Sequence, residues 1–457
     1  MVNHPLRSAA HSWRLPACPP ALFAACLAAA LCLCFNSTAQ AQPTPRPTLS
    51  LDDALQRAQQ RSSQLSAQDS AATAAREMAA AAGRLPDPTL KAGINNLPVN
   101  GADAFSLTAD FMTMRSIGVM QEFTREDKRK ARAARFDRQA DVAEAGRTVA
   151  LANLRRDTAL AWLDRYYVER MADLLKTQRA ETALQIDAAE AAYRGGKGAQ
   201  ADVFAARSAV ALIDDRIRQA ELQAATAQTR LLRWVGADAP RTLAAPPALT
   251  LDDRAAEHVT ALLTQHPQLA LLDRQEAAAR AEADIARSEQ KADWSVELMY
   301  SQRGPAYSNM ASLNVSIPLQ WDSANRQDRQ LAARMALADQ VRAEREDAQR
   351  EHLAETQTWL QQWHNNRERL AFYDSTLIPL AVERTRASLA SYRGGGAALT
   401  MVLEARRMEI ELRIDRLRLE MDNAGWWARI EYLVPPDTTA SRTAAAGRVA
   451  NTSEPQR

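Results

Sequence analysis

Beyond residue 34 the 457-residue chain has no cysteine, because all four lie at Cys18, Cys26, Cys32 and Cys34. Disulfides and thiolate metal sites are therefore excluded from everything that follows. Glycine is scarce (15 residues) and aromatics make up 5%. Alanine, arginine, glutamate, glutamine and leucine dominate instead, a composition of long helices or coiled coils. Neither sign of charge prevails, with 57 basic against 55 acidic residues, so no net basic charge favours nucleic acid as a partner. No stretch beyond Phe35 is long and apolar enough to span a bilayer as a helix, so any crossing would have to be made by strands. Nucleophile–base pairs, phosphate loops and spaced His, Cys and carboxylate ligands are also absent. We therefore expect no enzyme, no cofactor and no metal site.

What is present begins with a leader. Arg7 and Arg14 precede an apolar run from Ala21 to Phe35, and Ala39-Gln40-Ala41 ahead of Gln42 fits the small-residue rule for signal cleavage. Residues 1–41 are read as an export signal, and the sequence around Cys34 fits a lipid-acceptor box poorly. The rest repeats itself. Leu251-Asp252-Asp253 echoes Leu51-Asp52-Asp53, and Tyr392-Arg393-Gly394-Gly395 echoes Tyr193-Arg194-Gly195-Gly196, with nearly one offset of about 200 residues. Val203, Ala206 and Arg207 match Val402, Ala405 and Arg406 in the same register. The expected organisation is a first repeat at 42–236, a linker at 237–250, a second repeat at 251–433 and a polar, disordered tail at 434–457.

Each half reads as helix, strand pair, very long helix, glycine turn and helix. A helical pattern from Ser50 to Arg84 stops at Pro86 and Pro88. Then the period changes to two: Leu90, Ala92 and Ile94 alternate with Lys91, Gly93 and Asn95, and in the next run Ile117, Val119 and Phe123 share one parity of their own. The second half is clearer. Trp294, Val296, Leu298 and Tyr300 alternate with Ser295, Glu297, Met299 and Ser301, and a second run alternates from Ala311 through Leu319. Strands of ~10 residues with one oily face suit a tilted membrane barrel. Four strands cannot close one, so several copies are implied. Two spans of roughly seventy residues follow, Arg125 to Tyr193 and Ala324 to Tyr392, the second interrupted only by Pro379. Val203, Val210, Ile213, Ile217, Ala220, Ala224, Ala227 and Leu231 form a heptad seam. The counterpart helix carries two stripes, one through Ile410, Ile414 and Leu417, the other through Ala405, Met408 and Leu412.

Together these features resemble the TolC family of outer-membrane efflux channels, from about Ser50 to Leu433. The segment from Gly118 to Arg129, with Met112-Thr113-Met114 before it, is similar to the strand-exit motif of the heavy-metal branch, the CzcC- and CusC-like channels. The resemblance implies a mainly α fold with a small β part. It further implies a homotrimer whose twelve strands form one barrel in outer-membrane lipid, above a helical cylinder in the periplasm. The implied partners are a periplasmic adaptor (membrane fusion) protein and an inner-membrane RND-type pump, and the implied function is a passive exit duct for heavy-metal cations. Drug efflux, type I secretion and a non-pore coiled-coil adaptor are the alternatives. Tyr193, Gly195 and Gly196, with Tyr392, Gly394 and Gly395, correspond to the family's adaptor-docking turns. Asp202, Tyr392, Met401 and Glu404 correspond to its periplasmic gate. The ionic latch is only half present, since Ala397 and Met401 stand where a basic and an acidic residue would. Arg194 and Arg393 read as solvated turn charges. The basic run Arg125, Lys128, Arg129, Lys130, Arg132 and Arg135 reads as ordinary helix-face charge.

Overall fold

The computed structural model describes residues 48–251 and 266–434. The leader with its cysteines, Asp252 and Asp253 of the echoed tripeptide, and the polar tail lie outside the described residues. Helix α1, Leu51–Arg61, begins in a capping box: the Ser50 hydroxyl accepts from Asp53 N at 3.1 Å while the Asp53 carboxylate accepts from Ser50 N at 3.4 Å. The single helix expected from Ser50 to Arg84 is in fact two. Ser62 leaves the helical region, ends α1, and caps α2 (Ser63–Ala82) by accepting from Leu65 N at 3.3 Å. Adjacent serines offer the backbone a local alternative to the helix, which the apolar periodicity does not report.

The first half continues with β1 (Thr89–Asn95), β2 (Met114–Phe123), α3 (Glu126–Arg194) and α4 (Gln200–Val235). The second runs α5 (Pro267–Ser288), β3 (Trp294–Gln302), β4 (Met310–Ser316), α6 (Gln327–Phe372), α7 (Ile378–Arg393) and α8 (Leu399–Glu431). At 69 residues, α3 is roughly 100 Å long. Two expectations are corrected by proline. Strand β4 stops at Ser316, not Leu319, because Pro318 has no amide to donate to a ladder, and Ile317 and Leu319 are left exposed. Pro379, by contrast, does not break its helix: the chain widens into one π-helical turn at Tyr373–Leu377 and carries on as α7. The edge strands β1 and β4 have seven residues each, against ten in β2 and nine in β3, so only the central pair reaches the length expected of all four.

The four strands form one antiparallel sheet in the order β1-β2-β3-β4. Helices next to it pack in the corresponding order α2-α3-α5-α6, and further away α4 packs on α3, α3 on α8, and α8 on α7. At every level one flank, made by α2, β1 and α4, and the opposite flank, made by α6, β4 and α7, lack a neighbour among the described residues. Where the helices of both halves meet, Trp162, Leu163, Tyr167, Trp363 and Trp427 build the main core. The segment between the halves is part of that core. Leu49 N donates to Thr242 O at 2.8 Å and Ala244 N to Leu49 O at 3.1 Å, with Ala239 and Leu243 buried. Two indoles secure it: Trp162 Nε1 donates to Leu49 O at 3.2 Å and Trp427 Nε1 to Thr250 O at 3.3 Å. The heptad seam is buried along α4 at Val203, Val210, Ile213, Ala220, Ala227 and Leu231. No helix among the described residues is long and apolar enough to cross a membrane.

Candidate functional site

Direct cross-strand partners share a face, so the register sorts the sheet into two surfaces. Leu90, Val119, Leu298 and Leu313 form one row of the apolar face, and Ala92, Ile117, Tyr300 and Ala311 form the next. The opposite face has the rows Lys91, Gly118, Met299, Ser312 and Gly93, Ser116, Ser301, Met310. What matters is which face is covered. Leu298 is 60% and Leu313 69% exposed, whereas Ser116 and Ser301 are buried at 8% and 5%. This inverts the pattern of a water-soluble sheet. At the end that leads into the helices, Phe123 stacks on Trp294 with ring centroids 4.4 Å apart.

Local packing accounts for the segment from Gly118 to Arg129. A Cβ at Gly118 would lie 2.7 Å from the Leu298 carbonyl and 3.1 Å from Met299 Cβ. With only hydrogen there, Lys91 Nζ on β1 reaches across β2 to Glu297 Oε2 on β3 at 3.1 Å. Beyond the strand, Arg125 N and Lys128 Nζ both donate to Asp293, at 3.0 and 2.7 Å. Arg129 donates to the carbonyls of Thr124 and Gly83 at 3.2 and 3.1 Å, and Arg135 to Glu282 at 2.6 Å. The basic run thus ties the start of α3 to α2, to α5 and to the strand that follows α5. Met112 and Met114 part company: Met112 sits exposed in the loop, its amide donating to Asp110 Oδ1 at 2.7 Å, while Met114 opens β2 on the polar face.

At the other end of the molecule the two glycine turns superimpose in their bonding. Gly196 N donates to Tyr193 O and Lys197 N to Ala192 O; Gly395 N donates to Tyr392 O and Gly396 N to Ser391 O, all at 2.9 to 3.0 Å. This is the Schellman pattern, and its left-handed residue is Gly196 (φ +70°) or Gly395 (φ +76°). Gly195 and Gly394 keep ordinary negative φ. Gly196→Ala or Gly395→Ala should therefore cost about 1–2 kcal/mol, read as a lowered thermal midpoint, while Gly195→Ala is neutral or slightly stabilising. Equal effects at Gly195 and Gly196 would show that the turn is not held this way.

Just past the turns, the carboxylate of Asp202 folds back on its own helix and accepts from Ala199 N at 3.1 Å. Met401 occupies the equivalent third position of α8, is 57% exposed, and supplies no such bond. Glu404 is exposed, one turn along. Tyr392 is half-buried on a small core that joins both hairpins: Ala189 of α3, Val203 and Ala206 of α4, Leu389 of α7, and Leu399 and Val402 of α8. Further up, the nearly buried Glu409 accepts from Arg406 at 3.1 Å and Arg413 at 3.0 Å, and Arg406 also reaches Glu181 of α3 at 3.0 Å. That inter-hairpin charge cluster was not foreseen. Its signal, a glutamate flanked by arginines three before and four after, is legible in α8 once the helix is placed. Among the described residues, Arg194 donates to a backbone carbonyl of its own helix, Glu190 O, at 3.4 Å.

Comparison with solved structures places the fold. The chain is similar to the outer-membrane channel OprN at 17% identity and a TM-score of 0.70, covering 84% of this chain and 89% of that one. It is similar to VceC, an outer membrane protein from Vibrio cholerae, at 17% identity and a TM-score of 0.69, covering 84% and 95%. It is also similar to CusC, described with transmembrane channel formation, at 14% identity and a TM-score of 0.68, covering 85% and 93%. No family model and no curated protein matches the sequence.

Proposed function

We propose that three copies of this chain form an outer-membrane duct extending into the periplasm, the passive exit channel of a tripartite efflux system. One observation carries this reading: a sheet whose apolar face is bare and whose two edges are open, set on helices with open flanks on the same two sides. Lipid covers the bare face, and the flank of β1 joins the β4 flank of the next copy, a head-to-tail contact that closes when the rotation does. The exposed apolar side chains of α4, Phe204, Leu212 and Leu222, and of α6 and α7, Phe372 and Leu380, supply such a contact. A non-pore coiled-coil adaptor has no use for the bare sheet. The chain is not an enzyme, and the energy for transport comes from an inner-membrane RND-type pump, reached through an adaptor that docks on Tyr193, Gly195, Gly196, Tyr392, Gly394 and Gly395.

The cargo follows from the strand-exit resemblance, which points to heavy-metal cations; drug efflux or type I secretion would change the cargo and leave the architecture the same. Asp202, Tyr392, Met401 and Glu404 form the gate, with threefold symmetry gathering the carboxylates around a narrow opening that favours cations. The tests are direct. Crosslinking in native membranes should stop at three chains, and Asp202→Asn with Glu404→Gln should lower cation selectivity in single-channel recordings. A strain lacking the gene should lose resistance to metal salts before drugs. Recovery as a soluble periplasmic monomer would refute the duct.

A further inference from the structure

Midway along the helices, beside the main core that its lining residue Leu163 belongs to and that Leu160, Trp234 and Trp426 pack against, lies a cavity of about 880 Å³ between α3, α4, α6 and α8. On α8, Trp427, Ala424 and Ala428 face the core, while Asp422, Gly425, Trp426 and Arg429 line the cavity. Two features distinguish it. Each tryptophan carries a guanidinium over its ring, Arg233 over Trp234 and Arg429 over Trp426, both at 4.5 Å. In addition, Arg233, Arg369 and Arg429 have no carboxylate partner among the described residues, although ion pairs are abundant elsewhere on these helices. The fourth arginine, Arg230, is spoken for by Asp164 at 3.4 Å. Setting that pair aside leaves three cations against the single carboxylate of Asp422, a surplus of two positive charges beside two indoles and the side chain of Leu160.

We propose that this cavity binds an amphipathic organic anion. The volume falls in the range of small-molecule sites, ~300–1,000 Å³. An aromatic or alkyl body lies against Trp234, Trp426 and Leu160, where Gly425 leaves room, and a carboxylate, sulfonate or phosphate head sits among Arg233, Arg369 and Arg429. The guanidinium suits such a head because its planar fork donates to two oxygens at once. The placement in the wall of the duct rests on the reading given under Proposed function, but the binding chemistry does not. The anion has two possible sources, cargo in transit or a resident lipid-like molecule.

The probe is 8-anilinonaphthalene-1-sulfonate, titrated by fluorescence against the full assembled protein, with N-phenyl-1-naphthylamine as the uncharged body of the same shape. Arg369→Gln with Arg429→Gln should weaken the sulfonate at least about tenfold, the factor that goes with one lost charged hydrogen bond, and leave the uncharged probe unchanged. Trp426→Leu should weaken both probes, and Trp426→Phe should restore most of the affinity. Unaltered sulfonate binding in the arginine variant, or equal binding of the two probes by the native protein, overturns the site. Single-channel recording separates the sources: the sulfonate blocks current if the cavity faces the route of cargo, and binds without blocking if the site holds a resident amphiphile. A protein that binds the sulfonate but never conducts keeps the site and refutes the duct; one that conducts but does not bind does the reverse.

Discussion

Arginine in place of Leu298 is expected to abolish stable assembly in the membrane, whereas arginine in place of Met299 leaves it largely intact. The two residues are neighbours in β3 and differ in face. Leu298 lies in the row Leu90, Val119, Leu298, Leu313, every member of which is bare, and an arginine facing lipid near the bilayer centre costs about 2–4 kcal/mol. The loss is taken once per copy, so the proposed trimer would bear it three times. Met299 stands opposite Gly118 and Ser312 on the face that carries Lys91 and Glu297, where charge is already present. Comparing how much of each variant is recovered as assembled protein in membrane fractions decides the matter, and equal tolerance would invert the assignment of faces.

The second large effect concerns acid. His266 caps α5 by accepting from Gln268 N through Nδ1 at 3.2 Å, and its ring stacks on His352 of α6 with centroids 4.2 Å apart. Glu351 and Glu355 on α6, Arg156 and Asp157 on α3, and Arg429 on α8 surround the adjoining cavity. Burial, reinforced by the neighbouring imidazole, depresses the His266 pKa from 6.5 to about 4. A histidine kept neutral in the folded state contributes its full stability above the unfolded value near 6.5 and loses it as pH falls toward 4. The difference is about 3 kcal/mol from 1.36 kcal/mol per unit. Protonation also turns the accepting nitrogen into a donor facing the Gln268 amide, which undoes the cap. Thermal midpoints should therefore drop steeply between pH 6.5 and 4, and His266→Asn, which keeps a capping oxygen, should flatten that slope. An unchanged slope in the variant would place the acid sensitivity elsewhere.

Much of this architecture was legible because it is periodic. The parity of β3 sorts its residues onto the two faces that the register later shows, and the heptad spacing of α4 picks out the buried side chains from Val203 to Leu231. Local chemistry was harder to read. Ser62 splits a helix that its apolar pattern runs straight through. Pro318 shortens β4 although the alternation continues to Leu319, while Pro379, the same residue type, is absorbed by a wider turn. The resemblance makes Asp202 a gate position, and the fold gives its carboxylate the job of capping its own helix. The arginine and tryptophan cavity is not legible in the sequence because its residues come from four helices separated by up to some 270 positions, each looking like ordinary surface charge within its own helix.

The π-helical turn at Tyr373–Leu377 has a consequence for symmetry between the halves. Inserting one residue into a helix rotates everything beyond it by roughly 100°. The long helix of the second half, α6 through α7, is thus two differently oriented pieces of one rod. Its upper piece, which buries Leu360, Trp363 and Asn366, packs on both α5 and α8, and its lower piece, which buries Ala381 and Thr385, packs on α8. Helix α3, the counterpart in the first half, runs its 69 residues without such a step. Were the halves of the duplication alike, their long helices would be equivalent rods. With the phase shift in one half only, an unbroken rod in one half answers a stepped rod in the other, and the two halves of the duplication are not interchangeable along the helices.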